Sequence, residues 1–122
     1  MRLDKKKMIA ATIVACTTLF IAIGIHEKKD TRKQLKFGAT YMTMNNTFYK
    51  AVNNEIENVV NNHGDVLYTR DPALDPKKQN EQIKDLVSLG IDVLIINPVE
   101  SSSINKTLKE VKKAGIKIIV VD

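Results

Sequence analysis

The sequence has 122 residues, of which 43% are hydrophobic and 27% are charged, as expected for one small folded domain and not for a disordered chain. The net charge of +5 lies entirely in residues 1–35, which carry eight Lys/Arg and three Asp/Glu. Residues 36–122 carry eleven residues of each sign, so they offer no net positive charge to a phosphate backbone. This distribution argues against nucleic acid as a partner.

Residues 1–26 are typical of a signal peptide or membrane anchor. The basic stretch MRLDKKK precedes eighteen uncharged residues, Met8 to Ile25. This length is the minimum for a membrane-spanning helix, and it also fits a long signal-peptide core. Three outcomes stay open: an uncleaved anchor, a lipoprotein acylated at Cys16 in IVAC, or cleavage near Ala22 and Gly24. All three predict export, to the periplasm or to the outer face of the cytoplasmic membrane.

Residues 27–35 form a polar tether, and strands and helices alternate after it. The pattern predicts four strands, at 36–42, 65–69, 92–97 and 116–121. It predicts three helices between them, at 47–62, from Pro76 to Gly90, and at 104–115. Alternation of this kind predicts an α/β fold with a doubly wound parallel sheet.

Apolar residues at helical spacing predict which side of each helix faces the sheet. In the first helix these are Phe48, Val52, Ile56, Val59 and Val60. In the second they are Ile83, Leu86, Val87 and Leu89, and in the third Ile104, Leu108 and Val111.

The carboxyl ends of parallel strands meet at one edge of the sheet, and ligands of open α/β sheets bind outside that edge. The sequence places Asn46 and Phe48 after the first strand, and Arg70 and Asp71 after the second. Asn97-Pro98 and Asp122 follow the third and fourth strands. We therefore expect any ligand to meet amide, aromatic and carboxylate groups.

The composition of this edge argues against an enzyme. The first strand–helix connection, MTMNNT, contains no glycine, so neither a dinucleotide fingerprint nor a P-loop is present. No serine stands in a G-x-S-x-G motif, and the two histidines and the single cysteine do not cluster. We expect no catalytic residue, no metal and no cofactor.

Asn and Asp side chains can hydrogen-bond neighbouring hydroxyls, and an aromatic ring can cover the C–H face of a sugar. A simpler interpretation stays open beside this one. Asn46 could only cap the helix that starts at Thr47, and Phe48 could belong to the core.

The stretches KFGATYMTMNNTFYKAVNNEIENVV and LDPKKQNEQIKDLVSLGIDVLIINPVESSSINKTLKEVKKAGIKIIVVD resemble the N-terminal lobe of periplasmic binding proteins of the ribose/galactose type. These are exported sugar receptors of ABC transporters. The resemblance runs from about Lys36 to Asp122. Its most specific part is a strand followed by INP, a Ser/Glu-rich turn, a helix, AGI and an apolar strand that ends in Asp.

The resemblance implies roles for individual residues. Asn46 stands where the family hydrogen-bonds the sugar, and Phe48 and Tyr49 stand where aromatic rings stack on it. Asp122 stands where an acid binds sugar hydroxyls, and Asp71 is a further candidate for lining the cleft. Asn97-Pro98 is implied to shape its turn.

The family has two lobes that close around the sugar, whereas this sequence stops at Asp122, within the first lobe. It therefore looks like a fragment, and we expect the 122 residues alone to bind sugar weakly or not at all, because the C-terminal lobe is missing. The function implied is capture of a sugar or similar solute for an ABC permease. The alternative is a membrane-anchored sugar sensor for a kinase or chemoreceptor.

Overall fold

The computed structural model describes residues 4–24 and 31–122, with side chains at 4–14 and 31–122. The chain divides into two units, Met1–Arg32 and Lys33–Asp122. In the first unit, helix α1 spans Lys5–Gly24, which confirms that the apolar segment is helical. In the described ranges, no helix combines the length and the apolar character needed to cross a membrane. The predicted boundary between segment 1–26 and tether 27–35 lies outside the described residues, as does the side chain of Cys16.

The second unit alternates strands and helices as predicted. Its elements are β1 (Lys36–Thr40), α2 (Thr47–Asn62), β2 (Val66–Arg70), α3 (Pro76–Ser88), β3 (Val93–Ile96), α4 (Ser101–Lys113) and β4 (Lys117–Val120). The strands form one sheet in the order β2-β1-β3-β4, and every neighbouring pair is parallel. The predicted α/β fold with a parallel sheet is confirmed.

The predicted boundaries hold to within one to three residues. Helix α2 begins and ends where the sequence predicts, because Asn46 caps its first turn and Gly64, at φ 76°, follows its C-cap. Helix α4 begins at Ser101, three residues earlier than predicted. Its N-cap residue is Glu100, whose side chain makes no capping hydrogen bond, so the sequence carries no strong start signal there.

Helices cover both faces of the sheet. On one face, α3 and α4 pack over a core that includes Ile83, Leu86, Leu94, Ile96 and Ile104. On the other face, α2 packs over a second core that centres on Ala39, Tyr41, Val93 and Ile95. This arrangement confirms the doubly wound sheet.

The buried face of α2 agrees with the predicted one in part, since Val52, Ile56 and Val60 face inward as predicted. It is formed by Tyr49, Asn53, Ile56 and Val60, which are spaced four, three and four residues apart and so share one side of the helix. The predicted inward residues Phe48 and Val59 are 56% and 58% exposed, because they lie to one side of that stripe. In α3, Leu89 is also more exposed than predicted, at 38%, because it is the C-cap residue and not part of the helix body.

Two carboxylates fasten the chain where it enters the sheet. Asp65 Oδ1 accepts a hydrogen bond of 2.8 Å from the backbone N–H of Leu35. Asp92 Oδ2 accepts one of 2.9 Å from the N–H of Lys36, and Asp92 Oδ1 accepts one of 2.8 Å from Lys33 Nζ. Asp65 directly precedes β2 and Asp92 directly precedes β3, and both strands pair with β1. The residues just before these two strands therefore hold the start of β1 in place.

Candidate functional site

The switch in strand order between β1 and β3 defines the candidate site. In the order β2-β1-β3-β4, the chain leaves β1 toward one side and later returns to its other side. Open sheets of this kind form a crevice at that point, outside the carboxyl ends of the strands. The connections after β1 and β3 therefore flank the place where a ligand would bind.

The connection between β1 and α2 is fixed from two directions. Its Met42 N–H donates to Asn97 Oδ1 at 3.3 Å, and its Met44 N–H donates to Asp71 Oδ1 at 3.1 Å. The Met42 carbonyl also accepts a hydrogen bond of 2.8 Å from the Leu74 N–H. The backbone that carries Asn46 and Phe48 is therefore held before any ligand arrives.

Asn46 is the N-cap of α2, as the simpler interpretation of the sequence has it. Its Oδ1 accepts a hydrogen bond of 2.8 Å from the backbone N–H of Phe48, and its backbone is extended. The residue is exposed, and its Nδ2 group makes no hydrogen bond to a described residue. Capping therefore uses the oxygen and leaves two N–H donors facing outward, so cap and ligand contact are compatible.

Phe48 is an exposed aromatic and not a core residue. Its ring meets Tyr49 edge-on, with centroids 5.4 Å apart and an interplanar angle of 70°. Tyr49 in turn stacks on the buried Tyr41 at 5.7 Å. The core alternative for Phe48 is wrong, because the buried stripe of α2 passes through Tyr49. An exposed ring supported from behind is suited to stacking on a sugar.

Tyr49 itself is half-buried in the second core, and its hydroxyl donates toward Met42 Sδ at 3.8 Å. Beneath it, burial raises the pKa of Tyr41, whose hydroxyl donates to Asn53 Oδ1 at 3.3 Å. These tyrosines support Phe48 from the core side, and a direct contact between Tyr49 and a solute stays a prediction.

Asp71 braces two connections. One carboxylate oxygen accepts hydrogen bonds from the Met44 N–H and from the Ala73 N–H, the latter at 2.9 Å. Ala73 and Leu74 have φ angles of 53° and 65°, in the left-handed region that costs energy for residues other than glycine. The strained turn is thus tied to the first connection. This bracing is compatible with a second oxygen facing the crevice, but it gives Asp71 a structural role of its own.

Asn97 joins the ends of three strands. Besides accepting from Met42, its side chain donates from Nδ2 to the Val121 carbonyl at 2.8 Å. Its backbone N–H donates to the Thr40 carbonyl at 2.9 Å. Asp122, which is exposed, follows Val121 directly. A single buried side chain therefore connects the Asn46–Phe48 region with the residue before Asp122, and the structural role implied for Asn97 is confirmed.

Gln79 is a residue that the sequence analysis missed. It is fully buried, and its Nε2 donates to the Asn97 carbonyl at 3.0 Å and to Thr40 Oγ1 at 3.3 Å. Its Oε1 accepts a hydrogen bond of 2.9 Å from the Val99 N–H. The available signal was its position four residues before Ile83, on the inward stripe of α3, where a polar side chain must find partners.

The charged and unpaired groups at this edge are few. Arg70 is turned toward α3, where its Nη2 lies 3.1 Å from Asp85 Oδ2. Gln82 donates to the Asp71 carbonyl at 3.0 Å, and its Oε1 is the one buried side-chain atom in the described part that lacks a hydrogen-bond partner. In the same part of the chain, no group of three His, Cys, Asp or Glu residues could hold a metal ion.

Known proteins are similar to this chain in sequence and in fold. The ribose import binding protein RbsB of Bacillus subtilis (strain 168) is 29% identical over 91 residues, which are 75% of this chain and 30% of that protein. RbsB of Escherichia coli (strain K12) is 26% identical over 121 residues, which are 98% of this chain and 38% of that protein. The chain thus spans about a third of the length of these relatives.

A solved structure shows the same relation. An ABC transporter solute-binding protein from Mycobacterium smegmatis, with bound glycerol, superposes with a TM-score of 0.70 and is 36% identical; the match covers 74% of this chain and 31% of that one. Residues 37–122 match the family of the periplasmic binding protein domain. This is a family of solute-binding proteins and not of enzymes. Because this match covers 86 of the 122 residues, the chain belongs to the periplasmic binding protein family.

Proposed function

We propose that Lys36–Asp122 supplies one side of the binding crevice of an exported receptor that captures a sugar or similar polyol for an ABC importer. The observation that carries this proposal is the exposed ring of Phe48, held beside Asn46 at the carboxyl end of the sheet. The relatives named above support it, because two are ribose import binding proteins and one holds glycerol.

Three kinds of contact would hold the solute. Phe48 would cover a C–H face of the ring, and Asn46 would donate hydrogen bonds from Nδ2. The Asp122 carboxylate would accept hydrogen bonds from hydroxyl groups, and bonds to a charged acceptor are stronger than those between neutral groups. No bond is made or broken in this mechanism.

The contacts on this chain cover one side of the solute. A second lobe would supply the other side and exclude water, which strengthens the hydrogen bonds inside the closed crevice. Binding by this chain alone should therefore be weak, with a dissociation constant in the millimolar range, about −4 kcal/mol.

Export belongs to the proposal as well. The basic front and the uncharged run from Met8 to Ile25 would direct the chain across the cytoplasmic membrane. The domain would then act in the periplasm or at the outer face of the membrane, and its protein partner would be an ABC permease.

The affinity for sugars tests the proposal. Saturation-transfer NMR on the full chain, with D-ribose, D-xylose, D-glucose and myo-inositol as probes, should detect millimolar binding of at least one of them. Asp122→Asn should weaken that binding about ten-fold, because it replaces a charged acceptor. Glu57→Gln, which changes an exposed acid on α2, is the matched control and should leave the affinity unchanged.

Two outcomes would reject this assignment. One is equal weakening by both variants, which would indicate a general effect of charge. The other is a sub-millimolar dissociation constant for the unmodified chain, which would mean that the crevice is already complete without a second lobe.

A further inference from the structure

The charges of residues 36–122 are balanced in sum but divided unevenly between the two faces of the sheet. Helix α4 carries four lysines and one acid, Glu110. Helix α2, on the opposite face, carries Lys50 and two acids, Glu55 and Glu57. The face covered by α4 is therefore basic, although residues 36–122 have no net charge.

The lysines of α4 form one outward stripe. Lys106, Lys109 and Lys113 are three and four residues apart, so they share one side of the helix, and all three are exposed. The opposite side holds Ile104 and Val111, each 2% exposed, in the first core. The packing of α4 on the sheet thus directs its positive charge into solvent.

Folding does not account for this stripe. The ion pairs Lys33–Asp92 and Arg70–Asp85 do not involve α4. Lys113 lies in the last turn, where a positive charge stabilises the helix dipole. Lys106 and Lys109 lie further back in the helix, where the dipole offers little and neighbouring like charges destabilise slightly.

We propose that the lysine stripe of α4 is a docking surface for an anionic phospholipid membrane. Lysine side chains attract anionic headgroups when they lie within a Debye length of the surface, which is about 8 Å in physiological salt. A lipid partner fits better than nucleic acid, because α4 has no aromatic side chain for stacking on bases. The proposal does not depend on sugar binding.

Lysines at the amino end of the sheet lie outside this stripe. Lys117 starts β4, and its N–H donates to the Asp92 carbonyl at 3.1 Å, while the Asp92 N–H donates to the Lys36 carbonyl at 2.7 Å. Lys117 and Lys36 thus lie on β4 and β1, on either side of β3, and Lys117 shares its side of the sheet with Phe37 and Val93 of the α2 face. A membrane bound along α4 would leave the carboxyl end of the sheet, with the candidate site, open to solvent.

Lysine acylation in nanodiscs tests the proposal on the full chain. The reaction rate of each lysine with an N-hydroxysuccinimide ester is compared between nanodiscs of phosphatidylcholine alone and nanodiscs with about one-third phosphatidylglycerol. Because α1 is present in both, only the headgroup charge changes. Lys106, Lys109 and Lys113 should react at least about three-fold more slowly with phosphatidylglycerol, and raised salt should remove the difference. Lys50, on α2, is the internal control and should not change.

A pair of triple variants separates the position of the charges from their number. Lys106→Gln/Lys109→Gln/Lys113→Gln should lose the phosphatidylglycerol-dependent protection of α4 amides against hydrogen exchange. Lys50→Gln/Lys77→Gln/Lys78→Gln removes the same number of positive charges from α2 and from the first turn of α3, and this variant should keep the protection of the α4 amides. Equal acylation rates in both nanodiscs, protection that includes Lys50, or equal protection of the stripe by a short DNA duplex without lipid would each overturn the proposal.

Discussion

The two ends of the sheet carry similar side chains that serve different purposes. At the amino end, Asp65 and Asp92 accept hydrogen bonds from the backbone N–H groups of Leu35 and Lys36. At the carboxyl end, Asp71 and Asn97 also fix backbone, but Asp122 and the ring of Phe48 remain exposed. The residue type alone therefore does not identify a ligand contact. At the binding end, the side chains that hold the backbone already have hydrogen-bond partners, whereas Phe48 and Asp122 stay accessible to a ligand.

The largest expected effect on stability comes from the frame of the binding end. Gln79→Ala would leave the Val99 N–H and the Asn97 carbonyl without their buried partner, so the free energy of unfolding should fall by about 3 kcal/mol. Urea unfolding of the full chain in detergent, followed by circular dichroism, measures this. Gln82→Ala is the matched control, and it should cost about 1 kcal/mol or less because one acceptor of Gln82 is already unsatisfied. Equal losses would mean that the frame does not depend on Gln79.

A smaller loss is expected from the side chain that joins the strand ends. Asn97→Ala removes the acceptor of the Met42 N–H and the donor to the Val121 carbonyl, and should cost about 2 kcal/mol. Hydrogen exchange at the Met42 amide should become faster, whereas the Leu35 amide, held by Asp65 at the other end, should keep its rate. Faster exchange at both amides would indicate general loosening and would contradict the separation of the two ends.

At the amino end, stability should depend on pH. The pKa of Asp92 lies below its ordinary value. The hydrogen bond from the Lys33 side chain is the main cause, and the hydrogen bond from the Lys36 N–H is the second. A lowered pKa in the folded state stabilises the fold above the unfolded pKa, and this contribution is lost as the pH falls through the folded pKa. The wild type should therefore lose stability from about pH 4 downward, and Asp92→Asn should lose less over that range. Urea unfolding midpoints of both proteins, measured across this pH range, test the prediction. Parallel curves for the two proteins would show that the Asp92 carboxylate does not stabilise the fold in this way.

The smallest effect on stability is expected at the exposed ring. Phe48→Ala should lower the free energy of unfolding by no more than about 1 kcal/mol, since the ring is more than half exposed and loses mainly its edge contact with Tyr49. The same change should weaken sugar binding, so stability and affinity respond separately. Val59→Ala, at a similarly exposed position at the far end of α2, should affect neither. A large loss of stability in Phe48→Ala would return that residue to the core.

The sequence predicts the fold better than the site. Alternation of apolar runs with capped helices determines the order of elements, because Asn46, Asp75 and Gly64 carry local signals for helix ends. The buried side of α2 was predicted only in part from its apolar residues, because Val52, Ile56 and Val60 face the core while Phe48 and Val59 are exposed. A polar residue, Asn53, occupies a core position there, satisfied by the hydroxyls of Tyr41 and Thr69.

The candidate residues were predicted from their places after strands and from the family resemblance, and of their structural roles only the capping of α2 by Asn46 was among the interpretations. Asp71 serves as brace through the backbone N–H of Met44, and Tyr49 serves as support through the ring of Tyr41, so both roles depend on contacts with another part of the chain. The frame residue Gln79 was missed for the same reason, since its three partners lie in β1 and in the connection after β3. Such long-range hydrogen bonds leave only a weak trace in sequence, a polar residue on an apolar stripe.

Chemical-shift mapping tests the central claim most directly, that the carboxyl end of the sheet is the ligand end. The ¹⁵N-labelled full chain in detergent is titrated in turn with D-ribose, D-xylose, D-glucose and myo-inositol through the millimolar range, and the backbone amide shifts are followed. The account predicts saturable changes at Asn46, Phe48 and Asp122, with Leu35 and Lys36 unaffected. Changes confined to the amino end, or no change at any of the three residues, would contradict it.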